Sequence, residues 1–423
     1  MHEYRRPQSN TLIQRLSEPP RWLIAVFGPR QTGKTTLVSQ ALGSLQRPSR
    51  LEAIDNPSGG PRGAVPLPIE HESTVSSVLE GVRDRRWLIQ VWEESRHQAW
   101  ESENGFVLAL DEIQKIRGWS EAVKGLWDAD RAARCPMHVI ILGSAPLLMQ
   151  DGLSESLAGR FEPLRVTHWS WPEMRDGFGF ELDQFVFFGG YPSAAHLTQD
   201  SKDWERWKNH VWGALIEPNI ERDILHMTRV DKPSLLKRLL ELGSYYSGQE
   251  LAFNKMLGQL QDAGNTVTLD RYLKLLTGAG LLAGLSKHSG NAVRIKGSTP
   301  KLNVLNTALM AFESGYTFAE ARADRSQWGR MVESAVGAHL LNTASTNTHV
   351  RYWREAGSEV DFVLHRGPRT VGIEVKSGMA TARLSGLDAF KRRFNPQATV
   401  VVGRDIELSN FLSHPADYWL EQA

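Results

Sequence analysis

The sequence has 423 residues, of which 41% are hydrophobic and 23% are charged, and its formal net charge is +1. This balance excludes a disordered chain, and the length indicates more than one domain of roughly 100 to 200 residues. No window approaches the roughly 18 apolar residues of a membrane span, so we expect a cytoplasmic protein without membrane contact. The near-neutral charge excludes a global basic field, so any DNA contact must come from local patches.

Apolar strands alternate with helices over the first part of the chain. Residues 55–70 are crowded with Gly and Pro and are predicted to be a loop. The alternation is typical of a parallel α/β sheet covered by helices on both faces. Strands are predicted at residues 22–27, 106–110 and 137–143, and helices at 33–42, 71–101 and 119–133. The single cysteine, Cys135, is predicted to be a small buried residue.

A phosphate-binding pattern follows the first predicted strand. Residues 28–35 have the sequence GPRQTGKT, which matches the GxxxxGK[ST] spacing of a P-loop. Backbone N–H groups of such a loop and of the following helix N-terminus surround phosphates. Lys34 is predicted to reach the β- and γ-phosphates, and the Thr35 hydroxyl is predicted to bind Mg²⁺. The predicted nucleotide-binding residues of the loop are Gly28, Pro29, Arg30, Gln31, Thr32, Gly33, Lys34, Thr35 and Thr36.

An acidic pair, Asp111 and Glu112, ends the strand FVLAL. The carboxyl ends of parallel strands meet at one edge of a sheet, so Asp111 is predicted to hold the bound Mg²⁺ beside the P-loop. Glu112 is predicted to polarise the attacking water. The sequence has neither a DxxG motif after the second strand nor an NKxD motif, so ATP is the predicted nucleotide.

Two further residues are candidates for contact with the γ-phosphate. Ser144 follows the strand HVIILG and is predicted to contact the γ-phosphate or the water, although a simple turn residue is an alternative. Arg160, in the sequence AGRF, is predicted to act as an arginine finger on the nucleotide of a neighbouring subunit. A surface arginine or an intramolecular salt bridge is the competing interpretation of Arg160.

Longer helices and a local basic excess mark the middle of the chain. Residues 201–226 and 231–245 are predicted to be helical, and two helices at 249–261 and 268–278 precede a predicted hairpin at 281–296, which together indicate a winged helix. Residues 231–300 contain nine Lys or Arg against five Asp or Glu. The DNA-contact candidates are Arg271 and Lys274 on the second helix and Arg294 and Lys296 on the wing. A solvated helix face is the alternative. Trp22, Trp119 and Trp127 are predicted to be core residues rather than base-stacking platforms.

A constellation of carboxylates lies in the last part of the chain, where a helix (328–343), three strands (349–354, 359–365 and 370–376), a helix (383–393) and a strand (398–402) are predicted. Glu374 and Lys376 are two apart in a strand and share a face. With Asp361 and Glu333 they are predicted to form a Mg²⁺ site of the phosphodiesterase type. A nuclease-shaped domain without activity is the alternative. Residues 376–404 carry six Lys or Arg against one acidic residue, and Lys391, Arg392 and Arg393 are predicted to contact nucleic acid.

Several motifs together resemble a known family, the prokaryotic AAA-type ATPases that carry a DUF4143 domain. They are GPRQTGKTTL, LALDEIQKIRGW, ILGSAPLLMQ, LAGRFEPLRV, FGGYP, YWREAGSEVDFVL and IEVKSG. The resemblance implies an AAA/STAND-like ATPase domain (1–180), a helical linker or lid (181–230), a winged helix (231–300) and a PD-(D/E)xK nuclease-like end (301–423). It also implies nucleotide-binding roles for Asp111 and Glu112 and nuclease-type roles for Glu333, Asp361, Glu374 and Lys376.

Two hypotheses about function follow from these patterns. The first is a Mg²⁺-dependent ATPase, forming a homo-oligomer, whose nucleotide cycle moves the basic domains on DNA. The second is a signalling switch of the STAND type, in which hydrolysis is slow and the carboxy-terminal domain is an interaction module. A small-molecule kinase is weaker because Glu112 suits the activation of water.

Overall fold

The structure is a computed structural model that describes residues 4–54, 83–143, 156–198, 200–218, 220, 230–260, 264–290, 298–378 and 385–422. Ser144, Arg294, Lys296 and the predicted loop 55–70 lie outside the described residues, as do parts of the predicted helices 71–101 and 201–226 and of the predicted hairpin. The chain divides into two compact units, Met1–Val166 and Thr167–Ala423.

The first unit is built on a five-stranded sheet with the order β2-β3-β4-β1-β5, in which all neighbours are parallel. Its elements are α1 (Gln8–Ser17), β1 (Leu23–Phe27), α2 (Lys34–Gly43), β2 (Ser49–Ala53), α3 (Arg85–Glu101), β3 (Phe106–Asp111), α4 (Trp119–Ala133), β4 (Met137–Gly143) and β5 (Phe161–Arg165). The predicted α/β class with a parallel sheet is confirmed.

Successive side chains of each strand alternate between the two faces of the sheet, which divides the core of the first unit into two layers. In β1, Leu23 and Ala25 pack in the cluster that contains residues of α3 and α4, whereas Ile24 and Val26 pack in the cluster that contains residues of α1 and α2. Because successive side chains of a strand point to opposite faces, helices cover both faces of the sheet.

The buried-residue predictions hold for Trp119, Trp127 and Cys135. The prediction for Trp22 is wrong, because its side chain is 48% exposed. Trp22 immediately precedes the first residue of β1 and therefore lies outside both buried layers.

Gly28 leaves β1 against the backbone of the neighbouring chain segment. Val166, which follows β5, donates its N–H to the Phe27 carbonyl over 2.9 Å. A Cβ atom on Gly28 would lie 1.7 Å from the Val166 carbonyl oxygen. Only glycine fits this close approach, which sets the path of the loop out of the sheet.

The second unit begins with helices and continues into a small mixed sheet. Its helices are α5 (Trp171–Phe178), α6 (Leu182–Phe188), α7 (Trp204–Asn209), α8 (Pro233–Tyr245), α9 (Phe253–Gln259), α10 (Thr266–Gly278), α11 (Ala308–Ser314), α12 (Phe318–Ala323), α13 (Arg325–Thr343), α14 (Ser385–Phe394), α15 (Leu408–Phe411) and α16 (Ala416–Glu421). Its strands are β6 (Leu282–Leu285), β7 (Lys301–Val304), β8 (His349–Glu355), β9 (Ser358–Arg366), β10 (Arg369–Val375) and β11 (Ala398–Val402).

One prediction for the middle of the chain needs correction. The predicted helix 201–226 is broken into a 3-10 turn at Ser201–Asp203, the helix α7 and a π-helical stretch at His210–Ile216. The second strand of the predicted hairpin, residues 292–296, lies outside the described residues, and the first strand contains β6, which pairs with β7 and places Leu282 opposite Val304. Local propensity does not specify such long-range pairing.

The carboxy-terminal sheet has the order β11-β10-β9-β8. Strands β8, β9 and β10 form an antiparallel meander, and β11 adds to β10 in parallel through the connection that contains α14. This order of a helix, three strands, a helix and a strand is the one that the sequence predicts. Leu387 and Phe390 of α14 pack against Val363 of β9.

Candidate functional site

The P-loop connects β1 to α2, and its backbone conformation depends on two unusual residues. Gly33 caps the helix with φ 82°, and Gln31 has φ 55°. Lys34 begins the helix, so the N–H groups of the first turn point into the space above the loop. The predicted residues Pro29, Arg30 and Thr32 lie in this loop, and Thr36 lies in the first turn of α2.

Lys34 is 6% exposed and folds back over the loop. Its ammonium donates to the carbonyl oxygens of Gly28 over 2.9 Å and of Pro29 over 2.7 Å. These oxygens hold the cation at the mouth of the loop, where the phosphate oxygens of a nucleotide would replace them as acceptors.

The first turn of α2 is linked to the end of β3. The Thr35 hydroxyl donates to the Asp111 carboxylate over 2.5 Å, although β3 is two strands away from β1. Asp111 is 6% exposed. A hydroxyl and a carboxylate at this distance are hard oxygen ligands, so the pair fits a Mg²⁺ ion held beside a phosphate.

Glu112 follows Asp111 in a left-handed conformation with φ 58° and begins the 3-10 turn Ile113–Lys115. Its Oε2 accepts a hydrogen bond from Gln114 Nε2 over 2.7 Å. The sharp turn directs Glu112 away from the strand, and Gln114 restricts its carboxylate.

The P-loop has a supporting residue that the sequence did not indicate. Arg6 lies before α1 and is only 2% exposed, and its Nη1 donates to the Thr32 carbonyl over 2.8 Å. A buried guanidinium that binds a backbone carbonyl restricts the loop at the residue before Gly33. Nothing in the local sequence YRRP marks this role.

Arg160 forms an ion pair within its own unit. Its Nε and Nη2 donate to Asp128 Oδ1 and Oδ2 over 2.8 and 3.0 Å, in a bidentate arrangement. This is the intramolecular salt bridge that competes with the arginine-finger interpretation. The pair is solvent-accessible, so its contribution to stability is small.

In the second unit, the four predicted nuclease-type residues lie near one another but are held by other partners. Asp361 Oδ2 accepts from the Val375 N–H over 2.8 Å. Glu374 Oε1 accepts from the Lys376 ammonium over 2.7 Å. Burial raises the pKa of Glu374 to about 7, against the opposing effect of the Lys376 charge.

Lys301, which the sequence analysis did not single out, lies among these carboxylates. Its Nζ is 2.5 Å from Glu333 Oε1 and 3.7 Å from Asp361 Oδ1. Burial acts to lower the pKa of Lys301, but the carboxylates of Glu333 and Asp361 outweigh it, so the pKa lies above its usual value. The amine is therefore an ammonium ion.

This arrangement does not fit the Mg²⁺ site that the sequence predicts from Glu333, Asp361 and Glu374. Among the residues that the structure describes, no group of three or more His, Cys, Asp or Glu side chains is placed to hold a metal ion. Glu333 and Asp361 are instead paired with the ammonium of Lys301.

The predicted nucleic-acid contacts are exposed where the structure describes them. Arg271 and Lys274 lie on the exposed face of α10, and Lys274 forms an ion pair with Asp270 over 2.5 Å. Lys391, Arg392 and Arg393 form the exposed last turn of α14. None of the described helices is long and apolar enough to cross a membrane.

The fold and the site of the first unit define a P-loop nucleotide-binding domain. Comparison with protein families narrows this class: a model described as an AAA domain matches residues 21–175, and models of two domains of unknown function, DUF8612 and DUF4143, match residues 179–318 and 328–411. Residues 21–175 thus match an AAA-type P-loop ATPase domain and residues 328–411 a DUF4143 region, which confirms that part of the resemblance. The DUF8612 match covers a region that the sequence analysis assigned to a lid and a winged helix.

The chain also matches several solved structures, all at low sequence identity. A Walker-type ATPase of Pyrococcus abyssi has 15% identity and a TM-score of 0.49, with 74% of this chain and 98% of that chain covered. The Thermotoga maritima RuvB Holliday junction branch migration motor has 15% identity and a TM-score of 0.30, with 65% and 89% covered. The Aeropyrum pernix ORC1 protein in complex with DNA has 14% identity and a TM-score of 0.27, with 77% and 95% covered. No curated protein matches the chain in sequence.

Proposed function

We propose that this protein binds ATP with Mg²⁺ at the P-loop and hydrolyses it, and that hydrolysis is coupled to DNA binding. The observation that carries the proposal is the link between Thr35 and Asp111, because it brings a P-loop hydroxyl and a strand-end carboxylate within 2.5 Å. In this proposal, Lys34, the Thr35–Asp111 pair and Glu112 act on one bound nucleotide.

In this proposal, each residue of the site has a separate task. The Lys34 ammonium leaves the carbonyl oxygens of the loop and binds the β- and γ-phosphates. Thr35 and Asp111 hold Mg²⁺, which when bound neutralises charge on the phosphates. Glu112 accepts a hydrogen bond from the attacking water and aligns it with the γ-phosphate. Ser144 is proposed to contact the same phosphate.

DNA binding is supported by the exposed basic turn of α14. Lys391, Arg392 and Arg393 are consecutive and exposed, and Arg393 lies 3.7 Å from Glu355. Basic residues in the last turn of a helix also interact favourably with the helix dipole, so stabilisation of α14 is an alternative role for this cluster. A phosphate backbone would be bound through charge, with a marked salt dependence.

The middle region makes a smaller contribution to the proposal. A winged helix is proposed for α9, α10 and the strand β6, with Arg271 and Lys274 on α10 facing a groove. The ion pair of Lys274 with Asp270 reduces the charge available for DNA there. Arg294 and Lys296 are kept as proposed wing contacts.

A homo-oligomer is proposed on account of Arg160. In an assembly, its guanidinium would leave Asp128 and reach the γ-phosphate bound by the neighbouring copy. The exchange of partners costs little, because an exposed ion pair contributes little to stability.

A second candidate function is an ATP-dependent signalling switch. It is favoured by one set of observations: Lys34 is bound to loop carbonyls, Glu112 to Gln114, and Arg160 to Asp128. All three groups are held by intramolecular partners, as expected of a resting state that ATP must rearrange. The carboxy-terminal domain would then be a docking module that does not cut DNA.

The test measures ATP turnover and DNA binding with single-stranded, duplex and branched DNA at low and moderate salt. We expect one DNA form to stimulate turnover, and Arg392→Ala with Arg393→Ala to reduce both stimulation and the salt dependence of binding. Arg85→Ala with Arg86→Ala removes two exposed charges from α3 and is the matched control. Turnover that is slow, indifferent to every DNA and accompanied by tight retention of nucleotide would reject DNA coupling and support the switch.

A further inference from the structure

We propose that Lys301 is the built-in cation of the carboxy-terminal carboxylate site, and that this site therefore binds no divalent metal ion. The inference concerns the second unit alone and does not rest on the ATPase proposal. It assigns to Lys301 the place that a metal ion would take among Glu333, Asp361 and Glu374.

The position of Lys301 is fixed by the strand pairing of its backbone and by the contacts of its side chain. It is the first residue of β7, which pairs with β6, and its side chain is 8% exposed. The ammonium lies 2.5 Å from Glu333 on α13, and it donates to the Asp361 carbonyl over 3.2 Å. It also lies 4.9 Å from the centroid of the Phe362 ring. Two carboxylates, a carbonyl and an aromatic face thus surround one positive charge.

The remaining carboxylate oxygens do not form a coordination shell around a second cation. Asp361 Oδ2 is bound by the Val375 N–H, and Glu374 Oε1 is bound by Lys376. A Mg²⁺ ion needs oxygen ligands at about 2.0 to 2.1 Å in octahedral geometry. An ion that approached Glu333 and Asp361 would meet the Lys301 ammonium at short range, and like charges repel strongly in a buried site.

Access is not what keeps a metal out. Lys301, Glu333 and Asp361 line a cavity of about 340 Å³, together with Glu250, Arg354 and Glu359. A hydrated ion can reach such a space, and the many acidic side chains would attract it. The charge of Lys301 is therefore the specific feature that separates this site from a metal site.

Removal of that charge should create a metal site. In Lys301→Met, Glu333 Oε1 and Asp361 Oδ1 lose their ammonium partner, and Glu374 Oε2 is a buried oxygen without a hydrogen-bond partner. These three carboxylate oxygens are a hard ligand set, and two of the residues that carry them, Glu333 and Asp361, line the cavity.

The experiment counts Mn²⁺ ions bound per full-length chain, without nucleotide, by electron paramagnetic resonance and calorimetry. We expect Lys301→Met to bind one more Mn²⁺ than the wild type, and Lys301→Met with Asp361→Asn to lose it. Lys255→Met removes an exposed lysine from α9 and should bind as the wild type does. Lys301→Arg keeps the charge and should also gain no ion. All of these proteins have the same P-loop, so a Mn²⁺ ion bound there adds equally to each count and does not change the differences.

With folded proteins, either of two outcomes would overturn the proposal. One is a Mn²⁺ ion bound by the wild type and lost in Asp361→Asn. The other is a folded Lys301→Met protein that gains no ion. Circular dichroism reports folding, and if Lys301→Met is unfolded, Lys301→Gln takes its place. If both variants are unfolded, Mn²⁺ that binds the folded state should raise their helical signal, and the additional substitution Asp361→Asn should prevent this rise. A helical signal that Mn²⁺ does not change would then overturn the proposal.

Discussion

The Thr35 hydroxyl and the Asp111 carboxylate lie 2.5 Å apart and join the first turn of α2 to the end of β3. Their strands are separated by β4, so the contact exists only because the carboxyl ends of parallel strands lie along one edge of the sheet. The contact therefore shows that the order of the strands places both groups beside the P-loop. The proposed Mg²⁺ site depends on this pair.

Substitution of either residue should weaken the response to Mg²⁺. Asp111→Asn and Thr35→Val should each lower the apparent affinity for Mg²⁺ in the ATPase assay by about tenfold to a hundredfold, as removal of a metal-orienting group does elsewhere. Ser39→Ala is the control, since it removes a hydroxyl from α2 beyond the first turn. Equal effects of Thr35→Val and Ser39→Ala would argue against a specific role of the pair.

Glu112→Gln should separate binding from hydrolysis. The amide cannot accept a proton but preserves the shape, so we expect ATP affinity to change less than threefold and turnover to fall by about 10² to 10⁴. Nucleotide titration and single-turnover hydrolysis measure the two quantities. A variant that hydrolyses ATP at the wild-type rate would remove Glu112 from the mechanism.

Arg6 should contribute to nucleotide binding through the P-loop backbone. Its guanidinium binds the Thr32 carbonyl, and a hydrogen bond from a charged donor contributes about 1.5 to 3 kcal/mol. Arg6→Ala should therefore weaken ATP binding by about tenfold or more. The neighbouring Arg5 is exposed, and Arg5→Ala should leave the affinity unchanged. Similar losses in both variants would indicate a general effect of charge.

The stability of the second unit should fall in acid because of His339. Burial lowers the pKa of His339 to about 4, whereas its Nε2 lies 2.8 Å from the His414 carbonyl oxygen. Above the ordinary pKa of 6.5, both the folded and the unfolded chain carry a neutral imidazole. As the pH falls from about 6.5 to 4, the unfolded chain takes up the proton first, so up to about 3 kcal/mol of stability is lost.

Hydrogen exchange of the α13 amides in the full chain measures this loss. His339→Gln should make exchange less dependent on pH over that range, and His349→Gln, at an exposed position on β8, should not. The same pH dependence in wild type and His339→Gln would contradict the assignment.

Local patterns predicted the parts of the molecule that depend on local chemistry. The P-loop, the strand that ends in Asp111 and the order of elements from α13 to β11 follow from short-range spacing and strand alternation. These features need no knowledge of which distant segments meet.

The errors concern long-range pairing of charges and strands. Lys301 and Asp361 are 60 residues apart, and the motif around Asp361 predicts a metal unless the position of β7 is known. Arg160 is held by Asp128 on α4, which is one of the two alternatives that its motif left open. The path of β6 to β7 was missed for the same reason, because strand pairing is set by tertiary packing.

The most direct test of the central claim, that ATP is hydrolysed at the P-loop, is turnover of Mg²⁺-ATP by the wild type and by Lys34→Ala. The account predicts measurable release of phosphate by the wild type and loss of at least about a hundredfold in the variant, because the cation that binds the γ-phosphate is gone. Circular dichroism confirms that the variant is folded. Equal turnover by the two proteins, or none by folded wild type with any DNA present, would contradict the account.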